Sequence, residues 1–252
     1  MSSFLPDPHE LPPNFDPAGR EVLNLLRPVV ESVQQYHRHE VHHIDRVPLE
    51  GPVLMAVNHS LATYDGILLA KEIIDHGRVP SALGDDLIFR TPRLRRWARE
   101  VGIVPASPRH GEELLGRGRL VFVAPGGMRE ALRPSDERYR IRWDERKGFV
   151  RLALRTGAPI QLAACPDADR MYRVYENRLT KLAYKHFKVP MPLLRGWGPT
   201  LLPRPVQLVH VISELLQPEP LDEDRFEEQV DDWHATIVQR MNELMDEGRR
   251  IT

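Results

Sequence analysis

Three short apolar runs constrain this chain most, because each stops abruptly at a polar or glycine-bearing loop. They are Pro52-Val53-Leu54-Met55-Ala56-Val57, Gly118-Arg119-Leu120-Val121-Phe122-Val123-Ala124 and Ala158-Pro159-Ile160-Gln161-Leu162-Ala163-Ala164. Runs this short and this continuous read as strands buried on both faces. Between them the apolar spacing turns helical, with Ile67, Leu68, Ile73 and Ile74 in the segment from Asp65 to Ile74 and a further helix from Lys147 to Arg155. Strands and helices in alternation predict an α/β fold, a single domain with a largely parallel sheet flanked by helices. A length of 252 residues suits one such domain.

The ends of the chain differ in character. Pro6, Pro8, Pro12, Pro13 and Pro17 predict an extended N-terminal arm over residues 1–20. Residues 21–252 form the expected domain, closed by a C-terminal helix whose apolar face carries Trp233, Ile237, Met241 and Met245. Pro28 falls within the first helical pattern, so a kink or a later start is expected there.

Composition excludes several functions. A formal net charge of −1 supplies no global field for nucleic acid, so no nucleic-acid partner is expected. The single Cys165 leaves no internal disulfide framework, and its apolar run favours burial over reactivity. No run approaches the ~18 apolar residues of a membrane-spanning helix. The proline-rich, acidic start lacks the basic and apolar regions of a secretory signal. The expectation is a cytoplasmic protein that is still able to touch a membrane surface.

Two histidine centres compete for the chemistry. His39-Glu40-Val41-His42-His43 spells the H-E-x-x-H pattern of zinc proteases, which needs both histidines one turn apart on a helix. The surrounding residues alternate in a way that fits a strand as well as a helix, and no third ligand stands out. The rival is Asn58-His59 through Asp65, in the loop after the first buried strand, where parallel sheets bind ligands. A histidine there, with a carboxylate to fix its tautomer, is able to act as a general base on a hydroxyl. The plainer reading is a helix cap at Asn58 and His59 with an acid in the first turn.

Taken in order, further stretches resemble the glycerolipid and lysophospholipid acyltransferase superfamily, that is, 1-acylglycerol-3-phosphate acyltransferase-like proteins. Its N-H-x4-D block corresponds to Asn58-His59 through Asp65 and its second block to Gly102 through Arg109. Its F-P-E-G-T-R-S block corresponds to Ala124 through Glu130, and its fourth to Ala158-Pro159-Ile160 through Pro166. Two departures set this chain apart. Five residues rather than four separate His59 from Asp65, and Gly126 stands where the common pattern has glutamate. Both are closest to the diacylglycerol acyltransferase-like branch.

The resemblance implies an O-acyltransferase that moves a fatty acyl group from acyl-CoA or acyl carrier protein to a hydroxyl of a glycerolipid or lysophospholipid. His59 is then the base and Asp65 its orienting carboxylate, with no metal and no cofactor beyond the acyl thioester. Pro125, Gly126, Gly127, Arg129, Glu130 and Arg109 are the expected substrate-binding residues. Arg90, Arg93, Arg95, Arg96 and Arg99 around Trp97, and a second stretch from Lys181 to Trp197, are the expected contacts with a membrane surface bearing the lipid acceptor. Two alternatives stay open: a non-catalytic lipid-binding protein on the same fold, and a zinc hydrolase at His39 and His43. The oligomeric state is left open.

Overall fold

The computed structural model describes residues 17–60, 64–175 and 193–252. Most of the expected arm, and the basic stretch from Lys181 to Pro192, lie outside them. Helix α1 (Pro17–His37) begins inside the stretch expected to be extended. Pro17 stands in its first turn, where an absent N–H costs no helical hydrogen bond. Pro28 lies within the helix and does not divide it.

Seven strands make the main sheet: β1 (Glu40–His42), β2 (Val53–Val57), β3 (Ser81–Gly84), β4 (Ile103–Pro105), β5 (Leu120–Val123), β6 (Ile160–Ala164) and β9 (Val209–Ile212). Their order is β1-β9-β6-β2-β5-β3-β4. Every pairing is parallel except β6 with β9, so the sheet is mixed and mostly parallel, as the alternating runs require. Strands β7 (Arg173–Tyr175) and β8 (Leu193–Arg195) pair separately as an antiparallel ribbon.

The helices that cover the sheet are α2 (Tyr64–Asp75), α3 (Pro92–Glu100), α4 (Pro108–Gly116), α5 (Gly127–Ala131), α6 (Gly148–Thr156) and α7 (Phe226–Ile251). Side chains alternate across a strand, and the two faces sort accordingly. Leu54, Ala56, Ile160, Leu162, Val209 and Val211 pack with Leu115 of α4, Leu152 of α6 and Ile237, Met241 and Met245 of α7. Val53, Met55, Val57, Ala163 and Ile212 face the other way, toward Leu69 and Ile73 of α2. Leu54 and Met55 are both wholly buried, which is why β2 reads as an unbroken apolar run. By this alternation His210, between Val209 and Val211, projects from β9 toward α2. That single placement matters for the site.

Candidate active site

Strand order brings the motifs together. β5, β2 and β6 are adjacent and parallel, so the loops after them meet at one edge of the sheet. Those loops carry Ala124 to Gly127, Asn58 to Ser60, and Cys165. Antiparallel β9 runs its first residues to the same edge, since Ala164 pairs with Val211.

Asn58 clamps two of these loops. Its side-chain carbonyl accepts from the Cys165 N–H at 2.8 Å, and its amide donates to the Cys165 carbonyl at 3.2 Å. This reciprocal pair is buried and fixes the backbone immediately before His59. The His59 N–H in turn points to Glu130 Oε2 at 3.3 Å.

The His59 ring is partly buried, with Nδ1 2.8 Å from the Ser60 carbonyl oxygen. A carbonyl only accepts, so Nδ1 carries the hydrogen and Nε2 the basic lone pair. Burial lowers the His59 pKa below its ordinary value, against the opposing pull of the Ser60 carbonyl, and the positive Arg133 pushes it the same way. A neutral base at neutral pH is the result.

Asp65 sits in the first turn of α2, buried. Its Oδ1 accepts from the Ser60 hydroxyl, and its Oδ2 lies 3.8 Å from His210 Nε2. Asp65 and His59 are thus joined through Ser60, whose hydroxyl meets one and whose carbonyl meets the other. Burial raises the Asp65 pKa to about 6 despite the Ser60 hydrogen bond. Sequence reading named both partners and missed Ser60 between them.

Glu130 proves to be the organising carboxylate of the third loop. It is wholly buried and accepts from Trp143 Nε1 at 3.1 Å, Arg133 at 3.2 Å and the Arg142 N–H at 3.4 Å, besides His59. Arg133 continues the network to Asp169, with Nε 3.1 Å from Oδ2. Burial raises the Glu130 pKa to about 7, with Arg133 the chief force opposing it. A Cβ at Gly126 would overlap the Glu130 carboxylate, so this glycine leaves the room Glu130 fills. Gly127 has φ +52°, a left-handed conformation that suits glycine. Its N–H donates to the Ala124 carbonyl and is therefore engaged within the turn. Pro125 is buried beside it. Arg129 is exposed on α5, and Arg109 is exposed in the first turn of α4, which follows the edge strand β4, three strands from β2. The structure does not bring either arginine into the buried cluster.

The H-E-x-x-H pattern comes apart. Its centre is strand β1, and His43 ends it at φ 64°, so no helix sets His39 beside His43. His39 turns inward, with Nε2 2.9 Å from His210 Nδ1, whereas His43 faces Glu247 at 3.6 Å. Another set of donor atoms does converge: those of Asp65, Cys165 and His210 lie within 4.8 Å of one another, all buried. Burial holds the Cys165 thiol well above its ordinary pKa, in its protonated form.

The profile of the diacylglycerol acyltransferase family matches residues 81–251. This chain belongs to that family. A bovine protein described as a "DGAT1/2-independent enzyme synthesizing storage lipids" is 31% identical over 169 residues, covering 66% of this chain and 50% of the relative. Its human counterpart is 31% identical over 170 residues, covering 66% and 52%. An uncharacterised protein of Mycobacterium tuberculosis is 29% identical over 201 residues, covering 76% and 55%. The chain therefore spans about half the length of the curated relatives it matches. In fold it resembles the 1-acyl-sn-glycerophosphate acyltransferase PlsC of Thermotoga maritima, with TM-score 0.50 and 16% identity over 88% of this chain and 83% of the other. The family profile begins at Ser81, beyond the His59 loop, so the geometry of that loop has to stand on its own.

Proposed function

We propose that this member of the diacylglycerol acyltransferase family transfers a fatty acyl group from acyl-CoA or acyl carrier protein to a hydroxyl of a glycerolipid or lysophospholipid. The observation that carries the reading is the His59 tautomer: Nδ1–H is tied to the Ser60 carbonyl and the basic lone pair is on Nε2. His59 Nε2 takes the proton of the acceptor hydroxyl as its oxygen attacks the thioester carbonyl carbon. The carbon–sulfur bond then breaks, and the imidazolium returns that proton to the departing thiolate, leaving an ester and a free thiol. Asp65, acting through Ser60, keeps the His59 loop oriented and favours the transient imidazolium.

No covalent acyl-enzyme enters this scheme, because the Cys165 thiol is buried and protonated and the buried Ser60 hydroxyl is committed to Asp65. The acceptor is reached at a membrane surface. Among the described residues no helix is long and apolar enough to cross a membrane. Helix α3 instead exposes Arg93, Arg95 and Arg99 with Leu94 and Trp97 between them, beside α1, whose Leu25 and Val29 are also exposed. Cations set among apolar side chains suit an anionic interface.

The test is thiol release from acyl-CoA and acyl-carrier-protein donors, with lysophospholipid, monoacylglycerol and diacylglycerol as acceptors, in the parent and in His59→Ala. Acceptor-dependent release that disappears in the variant is expected. No thiol release with any of these donors, in a parent that still binds lipid, would replace this reading with non-catalytic lipid binding on the same fold.

A further inference from the structure

A line of polar side chains leads to Asp65 Oδ2, the carboxylate oxygen that the Ser60 hydroxyl does not engage. Gln34 of α1 places Nε2 2.6 Å from Glu72 Oε1 and 3.3 Å from His39 Nδ1. His39 Nε2 meets His210 Nδ1 at 2.9 Å, with the rings edge to face. His210 Nε2 then faces Asp65 Oδ2 at 3.8 Å.

Hydrogen-bond logic gives this line a direction. The Glu72 carboxylate only accepts, so it fixes the Gln34 nitrogen toward itself and toward His39. His39 Nδ1 must accept from that nitrogen, which leaves the His39 hydrogen on Nε2. His39 Nε2–H donates to His210 Nδ1, so a neutral His210 carries its hydrogen on Nε2, aimed at Asp65. At 3.8 Å this last step is longer than a hydrogen bond and acts as an N–H dipole directed at the carboxylate.

We infer that His39 and His210 form a directional imidazole relay that stabilises and orients the ionised Asp65 carboxylate, making both of them positioning residues for the His59 centre. The inference rests on the reading of His59 as base. Both rings must stay neutral for the direction to hold, and burial lowers His39 to about 4 and His210 well below its ordinary value. Of the groups facing His39, Glu72 of α2 raises its pKa against the larger effect of burial, whereas Lys71 of α2 and His37 of α1 lower it. Asp65, and the thiol of Cys165 at the end of β6, face His210. Asp169, in the turn after β6, acts on Asp65 and opposes its ionisation. The relay also gives the first histidine of the H-E-x-x-H pattern a place in the site without a metal. The two uses of His210 exclude each other, because a cation held by Asp65, Cys165 and His210 would require a bare Nε2.

The deciding experiment is long-range proton–nitrogen NMR on protein labelled with 15N-histidine, with His39→Gln and His210→Gln assigning the two resonances. Both rings are expected as the Nε2–H tautomer, and His210 is expected not to titrate between about pH 5 and 8. A hydrogen on His210 Nδ1, a titration inside that window, or stoichiometric zinc in the purified protein would overturn the relay. None of these readouts needs turnover, so a parent without acyl transfer would sink the catalytic reading separately. Kinetics then test the role. His210→Leu is expected to lower kcat about tenfold with KM nearly unchanged, and to move the acid limb of the pH profile up by roughly one unit. His210→Gln retains an N–H donor and is expected to keep the limb in place. If Leu matches the parent in both kcat and limb, His210 has no positioning role. Should the leucine variant fail to fold, the tautomers and the glutamine variant decide.

Discussion

Asp65 carries two opposed demands on one side chain. The proposed mechanism needs it ionised, yet burial raises its pKa to about 6, so above that pH the charge destabilises the fold. Asp65→Asn keeps an acceptor for the Ser60 hydroxyl and removes the charge. At pH 7.5 the variant is expected to melt no lower than the parent while losing acyl transfer by at least about 100-fold. Thermal denaturation beside the thiol-release assay checks both halves, and full activity in the variant would remove Asp65 from the site. Gly126 makes a second case. Its Cβ-less backbone admits the Glu130 carboxylate, so Gly126→Ala is expected to cost about 1–3 kcal/mol of stability and to displace the His59 loop. Equilibrium urea unfolding reads the cost, and an alanine variant of parental stability would show that the loop yields without strain. At this scale the sequence pattern picked out His59, Asp65 and Glu130 as candidates, because loop motifs keep local spacing. It cast Glu130 as a substrate contact, where the structure has it wholly buried among protein donors. It did not supply Ser60 as intermediary, nor Arg133 and Asp169, because their partners are set by how distant loops cross.

Among the elements, the three strands on which the reading began are present as β2, β5 and β6, since a strand buried on both faces has few alternatives to an apolar run. The long α7 likewise followed from its spacing, with Ile237, Met241 and Met245 buried and Trp233 at the margin of that face. Strand β9 escaped notice. Leu208-Val209-His210-Val211-Ile212 is an apolar run with one histidine set into it, a signal that was available, and that histidine is the one proposed to back Asp65. Nothing local indicates that this strand runs antiparallel to β6, which is what carries His210 to the site. Helix α3 permits a prediction of its own. Thr91 caps it and Pro92 opens it, so its exposed arginines are held on a defined surface. Changing Arg93, Arg95 and Arg99 together to glutamate is expected to weaken binding to anionic vesicles by about 1 kcal/mol per arginine removed, or more with the added repulsion. Flotation with phosphatidylserine vesicles measures it. Unchanged binding would move the membrane contact to another surface.

Across the whole molecule, the buried titratable groups set how stability responds to acid. Among the described residues, burial lowers the pKa values of five imidazoles, His37, His39, His59, His210 and His234. Each binds a proton more readily when the chain is unfolded, so each stabilises the fold above its unfolded value near 6.5 and loses that contribution as pH falls through its lower folded value. Asp65, at about 6, and Glu130, at about 7, act in the opposite sense. Their raised values let the folded state hold protons that the unfolded state has released, so they favour the fold as pH drops toward 4. Between pH 7 and 5 the five imidazoles outnumber the two carboxyls. The unfolded chain therefore takes up more protons, and stability is expected to fall with acid across that interval. Melting temperatures taken at half-unit steps from pH 7.5 to 5 measure the slope. Activity should fade over the same range for a separate reason, as Asp65 takes up its proton near pH 6 and His59 begins to protonate below its ordinary value. The two declines are separable, because His234→Gln lies outside the His59 site and should flatten the melting profile while leaving the acid limb of the rate where it was. A limb that moved with it would mean that activity is tracking the folded fraction rather than the charge on Asp65.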